Sequence, residues 1–206
     1  MFALTNEDLS SRIVGCADGP ASFNAEATAA GSFVISCDPI YRWTADQIRQ
    51  RIRETSEIVL EQTRLNQQEF VWTSIRSIEE LRRIRLSSME RFLNDFEAGK
   101  QQGRYVDAEL PHLPFADSTF EFALCSHFLF LYSRQLSEDF HVAAIAEMSR
   151  VAREVRIFPL LALGGEPSGH VAPVLERLKE GGHRVNIELV PYEFQRGGNQ
   201  MMRVQA

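Results

Sequence analysis

Hydrophobic and polar positions alternate along this chain between short apolar runs and longer stretches in which apolar residues recur every three or four positions. Residues 11–16 form the first apolar run and stop at the small-residue turn Ala17-Asp18-Gly19-Pro20. Residues 21–30 are rich in helix formers, and Gly31 closes them. A second run of β character, residues 32–37, ends at Asp38-Pro39. Strand, helix and strand at this spacing predict a βαβ unit whose strands are parallel and whose crossover is right-handed.

From residue 43 to about residue 100 the period changes. Ile48, Ile52, Val59, Ile75, Ile78, Met89, Phe92 and Phe96 recur at helical spacing among many charges, with no strand-like alternation. Two or three helices capping one edge of the sheet are expected here, in the position of an insert that shapes a substrate pocket. Strand character returns at residues 104–107, 120–125 and 155–161, with an amphipathic helix at 138–152. A further helix is expected at 171–180, closed by Gly181-Gly182, before two strands, 184–190 and 200–204, around a Gly-rich turn. The pattern predicts an α/β fold: a mostly parallel seven-stranded sheet with helices on both faces, a C-terminal antiparallel hairpin and a helical insert after the second strand. Residues 1–206 are expected to make one domain, with the insert at about 43–100.

Composition narrows the class. A chain of 206 residues fits one core. A net charge of −6 argues against a nonspecific nucleic-acid binder, which needs clustered Lys and Arg. Basic residues nonetheless concentrate at 44–104, where 11 Lys and Arg face 10 Asp and Glu. The run Arg82-Arg83-Ile84-Arg85 within it reads as a solvated helix face interleaved with Glu, with contact to a phosphate or an acidic substrate as the alternative. The most apolar run, 122–132, is broken by Ser126 and His127 and falls well short of the roughly 20 residues that cross a bilayer. With no basic-then-apolar leader and three widely spaced cysteines, Cys16, Cys37 and Cys125, the expectation is a cytoplasmic protein with free thiols and no bound metal.

In an open parallel sheet, ligands sit beyond the carboxyl ends of the strands, so the residues just after each apolar run carry the chemistry. The first turn, residues 15–21, is built of small residues that let a ligand approach the backbone. Asp38 ends the second strand, 19 residues after Gly19, where a carboxylate can accept from both hydroxyls of a ribose. Together they favour a nucleoside-containing ligand. His127, just past the fourth strand, is the candidate base, with Tyr132 as an orienting group; a core histidine is the alternative.

The stretch Leu113-Pro114-Phe115-Ala116-Asp117-Ser118-Thr119-Phe120-Glu121 resembles the loop and strand entry "LPF-x-D-x-x-F-D" of class I S-adenosylmethionine-dependent methyltransferases. Residues 15–21 are similar to that family's glycine-rich first motif, with Ala17 and Ala21 in place of two glycines and Gly15 where the family has an acid, and Asp38 falls at its second. The resemblance spans the whole chain, with the helical insert its least familiar part. It implies a Rossmann-like fold that uses S-adenosylmethionine to methylate a small-molecule acceptor. It places Ala17, Asp18 and Gly19 along the methionine part of the cofactor, Asp38 on the ribose, and Pro39 or Ile40 on the adenine. The same resemblance implies that Asp107 accepts from the adenine amino group with Ala108 beside it, and that Ser126 sits near the reactive methyl. The expected partners are a small acceptor and, where another protein chain is involved, a second copy in a homodimer; neither membrane nor nucleic acid is expected. The rival reading is a catalytically inactive cofactor-binding or interaction module on the same fold. An Asn- or Asp-Pro-Pro-aromatic run, expected of a nucleobase N-methyltransferase, is replaced by Ser126-His127-Phe128-Leu129, and a nicotinamide enzyme's G-x-G-x-x-G is absent.

Overall fold

The computed structural model describes residues 1–205. Among them are the strands β1 (Arg12–Cys16), β2 (Phe33–Cys37), β3 (Tyr105–Val106), β4 (Phe120–Ser126), β5 (Ala152–Phe158), β6 (Arg184–Leu189) and β7 (Gln200–Gln205). The helices are α1 (Phe23–Ala29), α2 (Ala45–Leu65), α3 (Ile78–Gln101), α4 (Glu138–Val151) and α5 (Val171–Glu180). The strands form one sheet in the order β3-β2-β1-β4-β5-β7-β6. The first five in that order are parallel, and β7 runs antiparallel to both β5 and β6. The order reverses beside β1, so β1 and β4 flank the switch point where ligands bind in open α/β sheets.

Strand β1 reads as continuously apolar because both of its faces are covered. Ile13 packs with Val34, Leu124, Ala27 of α1 and the N-terminal residues Phe2, Leu4 and Leu9. Val14 and Cys16 face the opposite way, into the core shared with Ile145 and Met148 of α4 and Val174 and Leu178 of α5. All three cysteines are free, buried and on this second face, and the register sets Cys16 beside both Cys37 and Cys125. Burial pushes their thiols up, that of Cys125 to about 12, so they remain protonated core residues.

The insert consists of α2 and α3. Thr44 caps α2 through a reciprocal box with Gln47, and Ser77 accepts from the Glu80 N–H at 3.1 Å to start α3. Helix α3 approaches β3 so closely that a Cβ on Gly99 would lie 2.4 Å from the Tyr105 ring. Phe92 and Phe96 of α3 close a buried aromatic cluster with Tyr41 and Tyr105.

Three boundaries differ from expectation. Strand β5 starts at Ala152, immediately after α4 and with extended backbone, and stops before Pro159, which has no N–H for a ladder. Strand β3 is only two residues long. The turn between β6 and β7 is a wide connection at 190–199, because Phe194 leaves the sheet to pack on Phe70 and Trp72, and the Val71 N–H donates to the Phe194 carbonyl. Among the described residues, no helix is long and apolar enough to cross a membrane.

Candidate functional site

After β1 the backbone turns sharply: Ala17 and Gly19 both lie in the left-handed region, at φ 58° and 59°. For Ala17 that costs on the order of 1–2 kcal/mol, which the surrounding contacts hold in place. The Ala17 N–H donates to the Cys37 carbonyl at 2.8 Å, and the Tyr41 hydroxyl donates to the Gly19 carbonyl at 2.8 Å. A Cβ built on Gly19 would meet nothing within 4 Å, so the turn borders open space.

Asp18 turns back into the protein. Its Oδ2 accepts from the Ser36 hydroxyl and lies 1.9 Å from where a Cβ on Gly15 would stand. The carboxylate thus fills the space beside Gly15, the position at which the sequence motif otherwise carries an acid, and Gly15 is required for it to do so. Although part of the residue reaches solvent, the carboxylate points inward, and its pKa is raised to about 7, by desolvation first and then by the charge of Asp38. A polar relay supports it: Asn24 of α1 donates to Ser36 Oγ and to the Val34 and Arg104 carbonyls, and Arg104 pairs with Asp95 of α3 at 2.7 Å.

Asp38 is held by two backbone N–H groups, Gly19 donating to Oδ2 and Ile40 to Oδ1, each at 2.9 Å. A carboxylate offers about four lone-pair positions, so both oxygens keep acceptor capacity for hydroxyls. Desolvation raises its pKa, the two backbone bonds oppose this, and the net direction is upward. Pro39 and Ile40 lie in a short 3-10 turn, Pro39–Arg42, with Ile40 half-buried against the aromatic cluster. Asp107 is exposed beyond β3 and ion-pairs with Arg42 at 3.5 Å, while Ala108 packs on the main core. The structure therefore brings residues 17–19, 38–40 and 107–108 to adjoining strand ends.

At the end of β4, Ser126 Oγ and His127 Nδ1 are 2.7 Å apart. His127 sits in the left-handed region at φ 53°, its N–H donating to the Phe158 carbonyl at 2.7 Å and its ring standing edge-on to Phe158. It is not a core histidine: one side reaches solvent. Its pKa is nevertheless pushed down to about 4, by desolvation first and then by the charge of Arg85, so the ring is neutral at pH 7 and a weaker base than an ordinary imidazole. Tyr132 is not joined to this pair by any hydrogen bond; its ring leans on Phe128, which faces Phe140 of α4.

Sequence reasoning missed the pair that fixes the loop before β4. Glu147 Oε1 accepts from the Leu113 N–H at 2.7 Å, and Arg150 donates to the Leu113 and Phe115 carbonyls and to Asp117. Their i, i+3 spacing on α4, Glu147 to Arg150, was the available signal.

No family model matches the chain. It is 31% identical over 203 residues to the uncharacterized protein MJ0045 of Methanocaldococcus jannaschii, covering 98% of this chain and 89% of that one. The chain belongs to the MJ0045 family. Its sheet order and C-terminal antiparallel pair give it the class I methyltransferase fold, shared with magnesium protoporphyrin IX methyltransferase from Synechocystis PCC 6803, solved with bound SAM. That match has a TM-score of 0.50 at 10% identity, over 97% of this chain and 72% of the other. The methyltransferase domain of bacterial CtHen1-CN aligns equally well, with a TM-score of 0.50 at 12% identity over 97% of this chain and 93% of that domain. For this member of the MJ0045 family these likenesses establish the fold.

Proposed function

We propose that the chain transfers a methyl group from S-adenosylmethionine to a small acceptor. The observation that carries this reading is the juxtaposition at the switch point: an open turn at Gly19, whose N–H is held by Asp38, with Ser126 and His127 on the next strand end. The SAM bound in the Synechocystis neighbour supports the same ligand here. The residues fit such a group. Gly19 borders free space, Asp38 keeps acceptor positions for ribose hydroxyls, Ile40 offers an apolar surface to the adenine, and Asp107 is an acceptor for its amino group.

The cofactor, when bound, supplies an electrophilic methyl on a positively charged sulfonium. The chain's own contribution is alignment, since in-line displacement gains most from holding the acceptor in place. His127, neutral at pH 7, takes the acceptor's proton at a ring nitrogen where the acceptor carries one, and the Ser126 hydroxyl fixes the ring through Nδ1. The helices α2 and α3 shield the acceptor from water.

Thermal unfolding tests this. Millimolar S-adenosylmethionine should raise the midpoint and NAD should not, because a ligand that binds only the folded chain stabilises it by mass action. Stabilisation by NAD alone would sink the reading.

A further inference from the structure

The inward stripe of α3 runs through Ile78, Leu81, Phe92 and Phe96, all buried. Arg85 occupies that stripe four residues after Leu81 and seven before Phe92, positions that share one helix face. Two anchors fix what this part of the stripe overlooks. Leu81 packs with Trp72 and Phe194, beside the β6–β7 connection. Ser88, one turn beyond Arg85, accepts from the Ser22 N–H at 3.2 Å and donates to the Ser22 hydroxyl at 3.0 Å, just past the β1 turn. Between those anchors the sheet order places the ends of β4 and β5, where Ser126, His127 and Phe158 lie.

The other arginines of α3 each have a carboxylate: Arg82 with Glu57 at 2.6 Å, Arg83 with Glu80 at 3.3 Å and Arg91 with Glu26 at 2.5 Å. Among the described residues the Arg85 side chain makes neither a hydrogen bond nor an ion pair. It borders a cavity of about 70 Å³ between α2 and α3, whose lining includes Thr55, Ser56 and Met89. Arg85 is itself exposed, yet neighbouring groups lower its pKa through desolvation, and its charge is felt at His127. An arginine on the inward phase of α3 that stays open to solvent, beside the reacting end of the site and without a counter-charge, is a binding position awaiting an anion.

Resting on the methyl-transfer reading, we propose that Arg85 binds a carboxylate or phosphate of the methyl acceptor and so holds the acceptor over Ser126 and His127. The planar guanidinium suits either group by forked hydrogen bonds. A second source of the same chemistry is the carboxylate on the methionine part of the cofactor, and the test separates the two.

The experiment is calorimetric titration with inorganic pyrophosphate, on the free protein and on protein saturated with S-adenosylhomocysteine, for wild type, Arg85→Gln and Arg85→Lys. Saturable pyrophosphate binding should weaken roughly tenfold in Arg85→Gln and less in Arg85→Lys, while affinity for S-adenosylhomocysteine stays within about twofold of wild type. Absence of pyrophosphate saturation in wild type, or equal affinity in Arg85→Gln, would overturn the proposal. So would a roughly tenfold loss of S-adenosylhomocysteine affinity in Arg85→Gln, which would give Arg85 to the cofactor's carboxylate. Wild-type protein that fails to bind S-adenosylhomocysteine defeats the methyl-transfer reading and the acceptor with it, whereas failure in the pyrophosphate arm alone defeats only the role of Arg85.

Discussion

Asp18 is the residue at which the first turn departs furthest from an ordinary strand-to-helix connection. Its carboxylate is buried against Gly15 and Ser36, and its pKa of about 7 exceeds the value of 3.8 expected for an unfolded chain. The folded protein therefore binds more protons than the unfolded one between those values. The stability from this group is fully present below pH 3.8 and is lost as pH rises through about 7. Asp18→Asn should flatten that loss, with an unfolding midpoint that gains more over wild type at pH 8 than at pH 5.5; equal gains at both would show that Asp18 does not titrate in this range. The motif resemblance reached Asp18, but its compensation for the glycine at position 15 was invisible in the sequence. A side chain folding back onto the third residue before it depends on the left-handed backbone at Ala17. His127 was legible as a strand-end residue, whereas its lowered pKa was not, because part of the cause lies on α3.

At the scale of elements, periodicity and punctuation placed β1, α1, β2, α4 and α5 within a few residues, since each is bounded by a turn, a glycine or a change of period. The insert was legible as helix, and so was the solvated run within α3. All four residues of Arg82-Arg83-Ile84-Arg85 are exposed, although Arg85 shares its helix phase with the buried Ile78, Leu81 and Phe92. A helical wheel phased on those three apolar residues would have separated Arg85 from its neighbours. Strand β3 was overestimated because its length is set by α3, which crosses it at Gly99. Gly99→Ala should cost about 1–3 kcal/mol in urea unfolding, because the added methyl meets the Tyr105 ring and the Arg104 guanidinium. A change within a few tenths would mean that α3 moves freely against β3.

Across the whole molecule, the residues before β1 cover one sheet face, where Phe2, Leu4 and Leu9 take the place of a second helix beside α1. A buried charge cluster ties them down: Arg156 of β5 donates to the Phe2 carbonyl at 2.8 Å and pairs with Asp8, while Glu154 accepts from Arg156, Arg203 and Gln205. Burial alone would raise the Glu154 pKa, but these partners outweigh it and hold it below the usual value. Its contribution is thus present at neutral pH and is lost as pH falls through the folded pKa. Glu154→Ala leaves Arg156 with Asp8 alone and Arg203 with Glu188 alone, and should cost about 2–3 kcal/mol by chemical denaturation at pH 7, with a smaller difference in acid. Near-equal stability of the two proteins at pH 7 would show that the cluster is dispensable.

Asp38, held between Gly19 and Ile40, is proposed to receive the ribose of S-adenosylmethionine. Calorimetric titration of S-adenosylhomocysteine into wild type and Asp38→Ala tests it most directly. Saturable binding by wild type, abolished by the substitution in a protein that remains folded, is the expected result. Undiminished binding by Asp38→Ala, or none by wild type at millimolar ligand, would contradict it.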